Sequence, residues 1–224
     1  MKKIFFPSET FWGIILLTAL IFTIFIQPIL PLEWQAKTYS LSYTILYFSS
    51  ILSLEKRVKS LLVLSVIAFS MNWLTEIFSL SILTTVSKSL SILFFIVIAI
   101  YLIMQVATSR EVSLKVIIGS VIGYLLIGMI YSIFIAFIMI QDPAAFNVIQ
   151  SPDDTSRAIA HLGESIYFSF VSLATVGYGD IVPIKPYARS LAIWICISGQ
   201  LYIAIIIALL VGKFASRNNT GERA

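Results

Sequence analysis

The chain has 224 residues, room for one or two soluble domains, yet 59% of it is apolar and only 12% is charged. A soluble domain carries roughly twice that charge, so lipid, not water, must be the solvent for most of its surface. The single cysteine, Cys196, excludes a disulfide framework within one chain and a multi-cysteine metal site. One histidine, His161, leaves little for metal ligation or imidazole catalysis, and the basic residues behind a net charge of +4 are too scattered to form a nucleic-acid face.

Crossing the hydrocarbon takes about 20 mostly apolar residues, and gaps between charges mark six such runs. They cover about Phe11 to Leu30, Tyr39 to Leu54, Leu61 to Phe78, Ile82 to Ala107, Val116 to Ile140 and Ala188 to Gly212. The first follows Lys2 and Lys3, as in a signal peptide. Its length, and Gln27, Pro28 and Pro31 in place of a small-residue cleavage site, mark it as a retained helix. The fifth run carries Gly119, Gly123 and Gly128, which read as close helix packing. Between the fifth and sixth runs a polar stretch, Gln141 to Ala160, is expected as a loop. A half-apolar segment, Gly163 to Ala174, is then too short to span.

Six spans put both termini on one side. Lys2, Lys3, Lys56, Arg57, Lys59, Arg110, Lys115, Lys213, Arg217 and Arg223 then share that side, against at most Lys37, Arg157, Lys185 and Arg189 opposite. The positive-inside rule makes the first side cytoplasmic. The expected location is therefore a cell membrane, crossed several times, with a bacterial inner membrane the expected one.

The half-span ends in Thr175-Val176-Gly177-Tyr178-Gly179-Asp180. Non-helical backbone at membrane depth survives only where it is buried in protein or lines an aqueous path. Gly177 and Gly179 reach dihedrals that other residues resist. Alternating them with Val176 and Tyr178 lets successive carbonyls face one way, with the Thr175 hydroxyl at the inner end. Such strands around an axis stack rings of oxygens that replace a cation's water shell.

Over roughly Gly163 to Gly212 the sequence resembles the tetrameric potassium channels. The resemblance implies that Thr175, Val176, Gly177, Tyr178 and Gly179 form the selectivity filter, with potassium held at Thr175 to Tyr178. It implies a pore helix over Tyr167 to Ala174, an aromatic cuff at Tyr167 and Phe168, and an outer mouth at Asp180 to Pro183. Val171 stands where some members have a carboxylate that pairs with the Asp180 position, so Asp180 is expected to bond the cuff instead. Lys185 replaces a threonine or serine common in the family, and a ring of such lysines would either hinder cation entry or point to the headgroups. Glu164 suits the positive N-terminal end of a pore helix, or else is an exposed loop carboxylate. His161 is expected as a solvated loop residue, with external pH sensing as the other reading.

In the last span Gly199 falls where the family often has a hinge glycine, and close packing is the competing reading. Ile207 and Val211, at i and i+4, are candidates for an apolar constriction that gates by dewetting. Gln200 either faces the wet cavity or bonds a neighbouring helix.

One filter motif per chain is a quarter of a filter, so a homotetramer follows. The expected fold is an all-α membrane protein: four peripheral helices over 1–110, then a pore domain over 111–224 with a re-entrant pore helix and a short tail. The layout is that of voltage-gated members, but the fourth span lacks their regular arginines. Lys88 is its one intramembrane cation, adjacent to Glu76 of the third span, with which it either pairs or from which it snorkels away. One charge crossing the field is worth about 2.3 kcal/mol per 100 mV, and steep gating needs three or four per subunit. Weak or absent voltage dependence is expected.

The resulting expectation is passive, potassium-selective conduction, with lipid and three further copies as partners, potassium as permeant ion and no cofactor. The alternatives are a non-conducting regulatory subunit or a potassium-transporter subunit. The chain has no HExxH, nucleophile elbow, Ser/His/Asp set or phosphate loop, so no enzyme is expected.

Overall fold

The computed structural model describes residues 9–54, 59–78, 81–109, 112–148 and 154–221. Its elements are helices: α1 (Glu9–Ile21), α2 (Leu32–Leu52), α3 (Lys59–Phe78), α4 (Ser81–Thr108), α5 (Leu114–Gln141), α6 (Asp154–Leu173) and α7 (Pro186–Gly221). Among the described residues there is no strand beyond one isolated antiparallel bridge, Phe146 with Pro183.

Among the described residues, four stretches are long and apolar enough to cross a membrane: Thr10–Ile29, Ser89–Thr108, Leu114–Gln141 and Pro186–Ala215. Within α3, Leu61–Leu74 is a shorter apolar stretch. Six spans were expected, but α2 falls below that mark. Glu33, Lys37 and many hydroxyl residues dilute its apolar content, although it is a continuous helix of 21 residues.

Past Ile21 the first helix widens into a π-turn, Phe22–Ile26, and tightens into a 3-10 turn, Gln27–Ile29. Pro28 has no N–H to give an α-helical bond and its ring crowds the preceding turn. The ladder shifts accordingly, with Gln27 N–H donating to the Phe22 carbonyl. Pro31 then opens α2, its carbonyl accepting from Trp34 N at 2.9 Å and Gln35 N at 3.1 Å.

The chain divides into two compact units, one of Met1–Ile29, Lys37–Ser109 and Ser113–Gly123, the other of Leu30–Ala36, Arg110–Val112 and Tyr124–Ala224. In the first, Tyr47 of α2 is fully buried. Its ring stacks on Phe95 at 5.5 Å and meets Phe94 edge-on at 5.0 Å. Its hydroxyl lies 2.7 Å from Ser91 Oγ. Ser91 already donates to the Ser87 carbonyl at 2.8 Å, so Tyr47 is the donor of the pair. The other face of α2 meets α3 through Phe48 and Phe69, at 5.7 Å, and through Trp73 Nε1 donating to Thr44 Oγ1 at 3.2 Å.

Lipid gives no hydrophobic drive between helices, so ring contacts and hydroxyl bonds of this kind hold such a bundle. Among the described residues no Lys, Arg, Asp or Glu is buried. The side chains of Glu76 and Lys88 lie outside the described residues, as does the charged turn at Glu55 to Lys59. Gly119 admits close packing of α5 on α4, since a Cβ there would lie 3.1 Å from Val106.

The second unit has a core of Ile135, Met139, Ala145, Phe146, Phe168, Leu173, Ala188 and Ile195, drawn from α5, the loop after it, α6 and α7. Tyr131 of α5 donates to Ser198 of α7 at 2.9 Å, and Ser198 donates on to the Ile195 carbonyl. Ser169 of α6 donates to the Gly128 carbonyl of α5 at 2.7 Å. Phe170 fills the space that a side chain at Gly128 would need.

Two expected boundaries are corrected. α6 begins at Asp154, not at Gly163. The capping-type residues Asp154, Thr155 and Ser156 open it, and neither Gly nor Pro interrupts it before Gly163. Residues 154–160, expected as loop, are therefore helical. α7 runs to Gly221, through residues expected as tail, and starts at Pro186, a residue suited to a first turn.

Candidate functional site

The site is built at the C-terminal end of α6. The helix ends at Leu173, and the backbone then makes a tight return. Ala174 N donates to the Phe170 carbonyl, Thr175 N to the Ser172 carbonyl and Val176 N to the Val171 carbonyl, each at 2.9 Å. Beyond this cap the backbone alternates. Thr175, Gly177 and Gly179 have φ of 57°, 58° and 81°, and no other described residue has a positive φ. Val176 and Tyr178 between them do not. Left-handed residues thus stand at every second position from Thr175 to Gly179.

Glycine bears such dihedrals without cost. Thr175 does not, because a β-branched residue at positive φ is a genuine outlier, so its position depends on its bonds. Besides its N–H bond to Ser172, its Oγ1 donates to the Ala174 carbonyl at 2.7 Å and accepts from Gln200 Nε2 of α7 at 3.0 Å.

Tyr178 and Val176 are exposed in the single chain. Tyr178 lies parallel to Tyr167 of α6, ring centroids 6.5 Å apart. Tyr167 Oη donates to Asp180 Oδ2 at 2.6 Å, and Asp180 Oδ1 accepts from Ile181 N at 3.0 Å. The Tyr167 bond holds the Asp180 carboxyl below its ordinary value. The same bond pushes the Tyr167 phenol up to about 12. Phe168, expected beside Tyr167 in an aromatic cuff, instead packs edge-on against Phe146 at 5.2 Å in the core. Consecutive helix residues point about 100° apart, so only one of the two can face the strand.

The segment after Asp180 is stitched to the loop that follows α5. Asn147 N donates to Val182 O at 2.9 Å, and Ile184 N to Ala145 O at 2.8 Å. Tyr187 Oη donates to Asp142 Oδ2 at 2.5 Å, and this bond, with Ala144 N–H and the Lys185 charge, holds the Asp142 carboxyl low.

Gly199 lies against the end of α6, where a Cβ would collide with the Leu173 carbonyl oxygen. The close approach of α7 to α6 is what this glycine permits. Ile207 and Val211 lie further along α7, both exposed in the single chain.

The expectations for Glu164 and His161 are corrected. Glu164 lies in the third turn of α6, too far from its start for the helix N-terminus to act on it. His161 is buried, not solvated. Its Nδ1 lies 3.2 Å from Glu164 Oε2. Burial raises the Glu164 carboxyl above its ordinary value, and His161 opposes that rise.

Asp142, Ser169 and Phe170 had no recognisable sequence signal as supports of this site. Gly128 did, as a glycine inside an apolar helix, but its partner was not readable.

An ion channel family model matches residues 121–216, from α5 to α7. The voltage-gated potassium channel Kch of Escherichia coli (strain K12) is 32% identical over 79 residues, which are 35% of this chain and 19% of that protein. The match thus spans about a fifth of that relative's length. No solved structure matches the chain. The stretch that holds α6, residues 174–185 and α7 is therefore similar to an ion-channel domain, and the apolar helices around it are those of a multi-pass membrane protein.

Proposed function

We propose that four copies of the chain form a passive, potassium-selective channel. α6 is its re-entrant pore helix, and residues 175–179 of each copy contribute carbonyl rings to a common axis. The observation that carries this reading is the alternation of φ at Thr175, Gly177 and Gly179 directly after the helix. It orients oxygens the way a dehydrated cation requires. The negative end of the α6 dipole at Leu173 adds stabilisation for a cation just inside the strand. The intact Tyr178-Gly179 pair favours potassium over a non-selective pore. In an assembly with α7 innermost, Ile207 and Val211 form the apolar constriction toward the cytoplasm.

The fourth apolar run lacks regularly spaced arginines, which supports weak or absent voltage dependence. Both termini are cytoplasmic in this reading, and the outer mouth is formed by Asp180 to Lys185.

Flux into liposomes tests the reading. Purified protein should admit rubidium down a potassium gradient without ATP or a coupled ion, and cross-linking should stop at four copies. Absence of flux from folded tetramers would overturn the channel reading and leave a non-conducting regulatory subunit or a potassium-transporter subunit.

A further inference from the structure

We infer that Gln200 is a positioning residue for the innermost ion site, acting by fixing the hydroxyl of Thr175. The inference rests on the potassium-channel reading of residues 175–179. Three observations carry it. Thr175 is the one described non-glycine residue at positive φ, a conformation that a β-branched side chain resists and that persists only when the surroundings over-determine it. Its hydroxyl has one proton and two lone pairs. The proton is directed to the Ala174 carbonyl at 2.7 Å, and one lone pair accepts from Gln200 Nε2 at 3.0 Å. One acceptor position is left, and the proton is held on a backbone oxygen, so the hydroxyl meets a cation as an acceptor. Finally, Gln200 immediately follows Gly199, whose missing side chain lets α7 approach Leu173. The carboxamide therefore arrives on a helix held close to the filter's base.

Without Gln200 the Thr175 side chain loses the tether that comes from α7, and the innermost ring of hydroxyls loosens while the carbonyl rings further out do not. The consequence is local: weaker binding at the inner end, with little change in the choice between potassium and sodium.

Block by internal barium, a divalent ion close to potassium in size, reads that site. Gln200→Met keeps the length of the side chain and removes the donor. Gln200→Leu also removes the donor and, like the Met variant, adds no charge beside the cation site. Both variants should weaken barium block about tenfold, the scale of one lost hydrogen bond, and leave the potassium-to-sodium permeability ratio within about twofold of the parent. In a Thr175→Val background the same substitutions should have no further effect, because the acceptor is already gone. Unchanged block in whichever variant reconstitutes, or an equal loss in the Thr175→Val background, overturns the role of Gln200. A parent protein that passes no potassium overturns the channel reading itself, which is a separate outcome.

Discussion

Gly199 of α7 presses its bare Cα against the carbonyl of Leu173, the last residue of α6, so closely that a methyl group would overlap the oxygen. Gly199→Ala must therefore push the two helices apart at the C-terminal end of α6. Overpacking of this kind costs about 1–3 kcal/mol. Thermal unfolding of the purified protein should show that loss, together with a smaller assembled fraction. Gly212→Ala is the control. Nothing lies within 4 Å of a Cβ there, and replacing a helical glycine stabilises by up to about 1 kcal/mol. If Gly199→Ala retained full stability and changed only the open probability, bending rather than packing would be the role of this glycine.

A second close approach gives an independent prediction. Gly128→Ala would place a Cβ in collision with two ring carbons of Phe170. It should destabilise by a similar amount, and Phe170→Leu should recover part of the loss by vacating the space. Ser169→Ala leaves the Gly128 carbonyl without its side-chain donor and should cost about 1 kcal/mol. Denaturation midpoints of the single and double variants check all three.

The Tyr167–Asp180 bond predicts an acid limb. Asp180 is held below its ordinary value by the Tyr167 hydroxyl. Its contribution is complete above the unfolded carboxyl value and is lost as pH falls through the lower folded one. The outer mouth should thus tolerate acid below the usual carboxylate range. Tyr167→Phe should move the midpoint of current loss upward, toward an ordinary aspartate. A midpoint unaltered by Tyr167→Phe would mean that another group sets the limb.

Several of these elements were legible in the sequence because they rest on local rules. The long apolar runs located α5 and α7, and Gly177 and Gly179 at alternate positions announced the unusual backbone. What the sequence did not reveal depends on partners far along the chain. Gln200 reaches Thr175 across 25 positions, and Tyr187 reaches Asp142 across 45. The family resemblance places Phe168 with Tyr167 in an aromatic cuff, but helix geometry sends it to Phe146. The start of α6 escapes an apolar-run criterion because Asp154, Thr155, Ser156 and Arg157 open it. His161 lies in the same N-terminal extension and is buried.

Lys88 is the one cation inside the fourth apolar run, so the first unit should move no more than about one elementary charge per subunit through the field, against the three or four of a steep sensor. The limiting slope of open probability against voltage measures this. A slope worth several charges per subunit would assign a sensing role to groups such as Lys88.

The claim on which all of this depends is that carbonyls of residues 175–179 replace the hydration shell of potassium. Its most direct test is the reversal potential of purified protein in a planar bilayer, with potassium on one side and sodium on the other. Reversal far toward the potassium equilibrium potential is expected. Reversal near zero, with sodium passing as freely as potassium, would refute the filter and the function drawn from it.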